Sequence, residues 1–235
     1  MNKRKKYGQH FLTSVSIAKF IVNTANITKN DVVYEIGTGK GILTPLLCQH
    51  AKYVTTIEID KKLYDDAIGN FSKFTNLIIK KGNGFKNEVK FDIFVSNLPY
   101  SESRSAIHWL LQKKFSCAMI MVQRDFAEKL LTNSIKERRA VSVLSQYGFN
   151  MKIVRKVKNI NFSPKPKVDS VVLQITQNYM VTKELIETVN KLFSYRRKTI
   201  QNIAKNFGIT IKSDKRLENM DNNEIIKFAK KISRI

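Results

Sequence analysis

The tightest constraint on this chain is a short glycine-rich turn. Glu35-Ile-Gly-Thr-Gly-Lys-Gly41 ends an apolar run over 32–37 and opens a helical pattern over 42–50. Glycines at a strand-to-helix turn supply positive φ and let the backbone approach a ligand closely. The spacing Gly37-x-Gly39-x-Gly41 is not the dinucleotide fingerprint G-x-G-x-x-G, and no phosphate-binding Lys-Ser/Thr follows, so a P-loop is excluded. A second apolar run, 54–60, carries Glu58 about 20 residues beyond the turn, where a carboxylate can take both ribose hydroxyls of a nucleoside. Glu35, just before the glycines, would repel a diphosphate. The pattern therefore favours a nucleoside that lacks a pyrophosphate.

The rest of the pattern sets the fold class. Strands are expected over 32–37, 54–60, 77–81, 91–98, 117–122, 153–157 and 168–176. Helices are expected over 42–50, 61–71, 104–113, 125–131 and 139–147. Alternation of this kind predicts a mostly parallel sheet covered by helices, with the last two strands an antiparallel pair at one edge. After about residue 178 the texture becomes helical, over 184–192, 197–207 and 223–232. The expected organisation is a Rossmann-like α/β domain over 1–178 and a small all-helical domain over 179–235.

Ser96-Asn97-Leu98-Pro99-Tyr100 follows the fourth strand and so shares the sheet's carboxyl rim with the glycine turn. Its chemistry suits an exocyclic adenine amine, a poor nucleophile because its lone pair is delocalised. The Asn97 amide oxygen and a nearby backbone carbonyl can accept the two N–H groups and aim the lone pair at a methyl donor. Pro99 fixes its own φ and so steadies the Leu98 carbonyl. Tyr100 can stack on the base, which is worth about 1–3 kcal/mol. S-adenosylmethionine is a nucleoside of this kind: it has a ribose and an adenine, lacks a pyrophosphate, and carries a positive sulfonium and an ammonium.

Composition narrows the partner. The chain has 235 residues, 42 Lys+Arg and 19 Asp+Glu, for a formal net charge of +23. Such a field attracts a polyanion, nucleic acid first. The longest apolar run, 117–122, is far too short to span a bilayer, so no membrane association is expected. Cys48 and Cys117 lie far apart in apolar surroundings, and His10, His50 and His108 are scattered, so neither a disulfide framework nor a metal centre is expected.

Taken together, these residues resemble the ribosomal RNA adenine N6,N6-dimethyltransferases of the KsgA type, with the Erm methylases as a related branch. The likeness runs through Tyr7-Gly-Gln-His-Phe-Leu12, the glycine turn, Ile57-Glu-Ile-Asp60 and Asn97-Leu-Pro-Tyr100. It continues through Val122-Gln-Arg-Asp-Phe-Ala-Glu128, Phe162-Ser-Pro-Lys-Pro-Lys-Val-Asp-Ser170 and Arg196-Arg-Lys-Thr199. The resemblance implies a class I methyltransferase fold, S-adenosylmethionine as methyl donor and N6-dimethylation of rRNA adenosines. It implies a cofactor pocket from Gln9, His10, Leu12, Gly37, Gly39, Glu58, Ile59, Asn83 and Asn97, with His10 and Leu12 at the methionine end. It implies a catalytic group of Asn97, Leu98, Pro99, Tyr100 and Phe162, the last stacking on a flipped base opposite Tyr100. Asn83 stands where the family usually has Asp, and its amide oxygen is expected to keep the contact to the cofactor's adenine amine. Thr13-Ser14 stands where the family commonly has an Asp, and Ser14 is still expected to cap the following helix.

Leu98 points to the small-subunit branch, because the Erm branch usually has Ile there. That branch dimethylates two adjacent adenosines in the 3′-terminal hairpin loop of small-subunit rRNA and docks on an assembling subunit. Expected RNA contacts are Lys3, Arg4, Lys5, Lys6, Arg138, Arg139, the basic run 152–158, Arg196, Arg197 and Lys198. A monomer in the cytoplasm is expected, with an organellar setting open. The rival readings are an Erm-type enzyme of the large subunit, a DNA adenine methyltransferase, and an RNA-binding assembly factor with secondary catalysis. The single Pro99 and the absence of a target-recognition domain argue against the DNA enzyme.

Overall fold

The computed structural model describes residues 8–233. Close contacts group the described residues into two units: those up to 106, with 114–127 and 151–177, form one, and 107–113, 128–150 and those from 178 on form the other. A boundary drawn along the chain after residue 178 assigns 107–113 and 128–150 to the sheet domain, whereas the contacts group them with the C-terminal helices.

The first unit is built on a seven-stranded sheet. Its strands are β2 (Val32–Ile36), β3 (Tyr53–Glu58), β4 (Leu77–Lys81), β5 (Ile93–Ser96), β6 (Cys117–Gln123), β7 (Phe149–Val157) and β9 (Ser170–Gln177). Their order is β4-β3-β2-β5-β6-β9-β7. The pairs β3/β4, β2/β3, β2/β5 and β5/β6 are parallel, and β9 runs antiparallel to β6. Asn150, at the start of β7, donates to Asn178, just past the end of β9, so these two strands also run in opposite senses. Both lie at one edge, as expected from the Pro-containing loop that joins them without a helix.

The central strands are apolar on both faces because helices cover both. One face packs Val33, Val54, Ile93, Val95, Met119 and Val172 against Leu43 and Leu47 and against Ile17, Ala18, Ile21 and Val22. The last four belong to α1 (Val15–Thr24), a helix the sequence reading marks only by its cap. Ser14 does cap it, accepting from the Ile17 N–H. Helix α2 (Thr44–His50) begins two residues later than expected, since the glycine turn extends through Leu43, with Pro45 in the first helical turn. Helix α3 (Lys61–Phe71) matches its expected span, with Asp60 as N-cap. Helices α4 (Ser103–Leu110) and α5 (Arg124–Leu131) follow β5 and β6.

The chain leaves β2 to build β3 and β4 on one side, then returns to β5 on the other. Such a reversal opens a crevice at the carboxyl ends of β2 and β5. The Ser96 hydroxyl donates to the Ile36 carbonyl at 2.6 Å and ties the two strand ends together at that point. A second, two-stranded sheet adds a wall. β1 (Phe11–Leu12) pairs antiparallel with β8 (Phe162–Ser163), in the register Leu12↔Phe162.

The second unit is helical. It contains α6 (Ala140–Gly148), α7 (Lys183–Ser194), α8 (Ile200–Lys205) and α9 (Asn222–Ile232). Helix α7 buries Leu185, Ile186, Val189 and Leu192, a single stripe at helical spacing, each apolar side chain contributing about 1.5–3 kcal/mol. Thr182 and Thr199 cap α7 and α8, and Asp221 with Glu224 forms a capping box on α9. The Thr199 cap explains why α8 starts at Ile200 and not near Arg197.

Candidate active site

A cavity of about 430 Å³ opens at the crevice. Its wall includes Gln9, His10 and Leu12 from β1 and the residues before it, Gly37 and Gly39 from the turn after β2, and Glu58 and Ile59 at the end of β3. Asn83 after β4 and Asn97, Leu98 and Pro99 after β5 complete it. All nine residues expected to hold the cofactor therefore border one cavity. Ser101 and Glu102 also line it; they follow the tetrapeptide in a short 3-10 turn, and no sequence signal marks them.

The turn needs its glycines for two separate reasons. Gly37 has φ +85°, in the left-handed region, with open space where a Cβ would point. Gly41 has φ +76°, and a Cβ there would overlap the Phe71 ring of α3.

Glu58 is 1% exposed. One of its carboxylate oxygens accepts the Gly39 N–H at 2.9 Å and the other accepts the Asp60 N–H at 2.9 Å. Two backbone donors hold the carboxylate plane, and each oxygen keeps a lone pair for a ribose hydroxyl. The carboxylate thus joins the glycine turn to the end of β3. Asn83 caps a 3-10 turn over Gly84–Lys86, its Oδ1 accepting the Phe85 N–H at 2.9 Å. That oxygen keeps a second lone pair for an adenine amine.

Glu35 is the other buried acid, 1% exposed in the cavity wall. Burial pushes its carboxyl up from 4.5 to about 7, opposed by the hydroxyls of Thr56 and Thr44, and the nearby Glu58 charge adds to the rise. Thr44 donates to it at 2.8 Å. The folded chain therefore holds a proton between about pH 4.5 and 7 that the unfolded chain has released. Stability from this group is present at the acid end of that window and declines as pH rises through it. A cationic ligand reverses the preference, because it favours the carboxylate. Affinity for S-adenosylmethionine should rise with pH up to about 7, with a proton released on binding, and Glu35→Gln should flatten the profile. Calorimetry in buffers of differing ionisation enthalpy reads this directly; affinity constant from pH 6 to 8 without proton release would contradict it.

The tetrapeptide is held from two sides. The Asn97 Nδ2 donates to the His10 carbonyl at 3.3 Å, which leaves Oδ1 as the uncommitted end of the amide. Pro99 has φ −52°, as its ring requires. The Tyr100 ring stacks on His10, with centroids 5.5 Å apart and planes 30° apart, and its hydroxyl meets the Ser170 hydroxyl at 2.6 Å. Burial raises the Tyr100 pKa, so the phenol stays neutral. His10 Nδ1 lies 2.7 Å from the Pro164 carbonyl. A carbonyl only accepts, so Nδ1 carries the hydrogen. His10, Tyr100, Pro164 and Ser170 thus link the tetrapeptide to the segment 162–170. Pro164 and Ser170 fall within the segment 162–170, and no local sequence signal marks either role.

Two expectations are corrected. Phe162 is 4% exposed and packs in the core with Leu12, Ile17 and Ile21, so its ring presents no face for a base. Its pairing with Leu12 makes it an anchor for the β1–β8 wall. Arg138 is 5% exposed and is not a surface contact for RNA. Its guanidinium donates to the Asn222 side chain and to the Glu218 and Met220 carbonyls, and so holds the segment before α9. Among the other expected RNA contacts, Arg139, Arg197 and Lys198 are exposed, while Arg196 is half-buried 3.7 Å from Glu218. Lys3, Arg4, Lys5 and Lys6 lie outside the described residues.

A sheet of order β4-β3-β2-β5-β6-β9-β7, a glycine turn after its first parallel strand and a carboxylate at the end of the next define a class I S-adenosylmethionine-dependent methyltransferase. The cavity fits that cofactor: paired ribose acceptors at Glu58, an adenine acceptor at Asn83 and an acid at Glu35 for its cationic end. Across residues 1–232 the chain matches the model of the ribosomal RNA adenine dimethylase family, and it belongs to that family.

A relative from Methanococcus aeolicus, named probable ribosomal RNA small subunit methyltransferase A, is 37% identical over 97% of this chain and 89% of its own. One from Clostridium botulinum, named ribosomal RNA small subunit methyltransferase A, is 36% identical over 87% of this chain and 80% of its own. The crystal structure of a dimethyladenosine transferase from Plasmodium falciparum superposes with a TM-score of 0.79 at 27% identity, covering 93% of this chain and 96% of the other. The chain is an S-adenosylmethionine-dependent rRNA adenine dimethyltransferase.

Proposed function

We propose that the substrate is small-subunit rRNA, and that two adjacent adenosines in its 3′-terminal hairpin loop are dimethylated on an assembling subunit in the cytoplasm by a monomeric enzyme. The observation that carries the choice of subunit is the near full-length likeness, at 36–37% identity, to archaeal and bacterial relatives that both bear a small-subunit name. Leu98 in the tetrapeptide supports the same branch. Incubation with labelled S-adenosylmethionine and unmethylated particles of each subunit, followed by mapping of modified adenosines, tests it. Label confined to large-subunit RNA would overturn it in favour of the Erm-type reading.

Bound S-adenosylmethionine supplies an electrophilic methyl on a sulfonium. The chain's own groups prepare the nucleophile. With Nδ2 held by the His10 carbonyl, Asn97 Oδ1 is free to accept one N6–H, and the Leu98 carbonyl accepts the other. Both bonds favour a pyramidal nitrogen with its lone pair free. No strong base is needed, since N6 becomes acidic as it gains the methyl. The target base must leave its stack at a cost of a few kcal/mol. The outer face of Tyr100, backed by His10, offsets about 1–3 kcal/mol of that. Arg139, Arg197 and Lys198 hold RNA through phosphates.

Ser170 is a positioning residue in this scheme, because it holds the Tyr100 hydroxyl at 2.6 Å. Ser170→Ala should raise KM for RNA roughly 3- to 10-fold, the loss of about 1 kcal/mol of orienting hydrogen bond, with cofactor affinity unchanged. Tyr100→Phe should match it, and the double variant should add nothing further. Additive effects of the two changes would contradict the coupling.

A further inference from the structure

The second unit carries an aromatic surface that the reaction does not use. Tyr179, after β9, is 58% exposed. Its inner face stacks on Tyr147 of α6, with centroids 5.1 Å and planes 17° apart. Lys230 of α9 donates to the Tyr147 hydroxyl at 2.6 Å, and its ammonium lies 4.8 Å from that ring's centre. The backbone beneath is pinned. The Asn178 and Tyr179 N–H groups both donate to the Gly148 carbonyl, at 2.8 and 3.1 Å, and the Val181 N–H donates to the Leu111 carbonyl at 2.7 Å. Gly148 has no room for a Cβ, which would overlap the Leu111 side chain. Tyr179 thus stands on a pinned backbone with its ring stacked on Tyr147 and more than half of its surface exposed.

The packed face explains the stack; the open face has no internal role. A structural pair needs only one contact between its rings, and water is a poor partner for the other side of a tyrosine. Lys227 lies one turn before Lys230 on the same side of α9 and is exposed, as is Lys231. An exposed aromatic ring on a pinned backbone, stacked on a tyrosine whose hydroxyl holds Lys230, is the kind of arrangement that takes a nucleobase by stacking and its phosphates by charge. In a chain of net charge +23 this complementarity favours RNA over a protein partner.

The geometry points to Tyr179 as a stacking platform for an unpaired RNA nucleobase outside the active site. This rests on the reading that the substrate is structured RNA with exposed loops, and it adds a second place where that RNA is gripped. The grip is sequence-tolerant, since every base has a π-face. Stacking is non-ionic, so its loss lowers affinity without changing the number of phosphates neutralised.

The test is fluorescence anisotropy with a labelled single-stranded RNA dodecamer and an RNA duplex of the same length, over a range of salt. Tyr179→Ala should weaken the single strand roughly 5-fold or more, leave the duplex within twofold and keep the same log–log salt slope. Tyr179→Phe should bind as the parent does. Tyr179→Leu, which keeps apolar bulk without a π-face, should behave as alanine, so a packing defect is separated from lost stacking. Lys227→Ala should weaken both RNAs and lower the slope. Single-strand affinity unchanged in both Tyr179→Ala and Tyr179→Leu overturns the platform and leaves the patch to a protein partner. A parent protein that binds neither RNA overturns the RNA reading itself.

Discussion

Asn97→Ala should lower the rate of methyl transfer about 100- to 1000-fold, the range seen when one oriented hydrogen-bonding group is removed from a transition state. The Asn97 amide is held by its Nδ2 at the His10 carbonyl, so the oxygen is directed before substrate arrives. Alanine removes both the acceptor and the tether. The loss should fall on kcat, because the bond to N6 strengthens as the nitrogen pyramidalises. Cofactor affinity should drop only a few-fold. Single-turnover transfer from labelled S-adenosylmethionine, with calorimetry alongside, separates the two. A kcat within threefold of the parent would remove Asn97 from the chemistry.

Glu58→Ala should weaken cofactor binding at least about 100-fold. Two ribose hydroxyls lose a carboxylate, and hydrogen bonds to charged groups are worth about 1.5–3 kcal/mol each. The backbone suffers too, because the Gly39 and Asp60 N–H groups lose their acceptor and the glycine turn loses its tie to β3. Glu58→Gln should be intermediate. Its amide still offers one oxygen, but its NH2 must face a ribose hydroxyl or a backbone donor. Titration calorimetry with S-adenosylhomocysteine measures the loss, and thermal unfolding shows how much of it is structural. Parent-like affinity in Glu58→Ala would mean that the ribose is held elsewhere.

Much of the catalytic unit was legible because its signals are local. Apolar runs of strand length alternate with helical spacing, and α3 and β4 fall on their expected residues. The glycine turn and Glu58 announce the crevice, since the sheet's topology brings the ends of its parallel strands to one rim. What was not legible is long-range. β1 and β8 are two residues each, too short for any periodicity, and their pairing spans about 150 residues of chain. Without it, Phe162 reads as a free aromatic and Ser170 as an unremarkable serine. Arg138 sits in a basic pair that looks like surface, but its carbonyl acceptors lie some 80 residues away. The grouping of α6 with α7 and α9 likewise depends on which apolar faces meet, which chain order does not state.

The most direct test of the account is the product itself. Purified protein, labelled S-adenosylmethionine and unmethylated small-subunit particles should yield N6,N6-dimethyladenosine at two neighbouring positions near the 3′ end of the rRNA, by nuclease digestion and mass spectrometry. The Asn97→Ala variant should leave those positions unmodified at equal enzyme and time. Methyl groups on another base or another atom of adenine, or full dimethylation by Asn97→Ala, would contradict the assignment of this rim as the site of adenine N6 methylation.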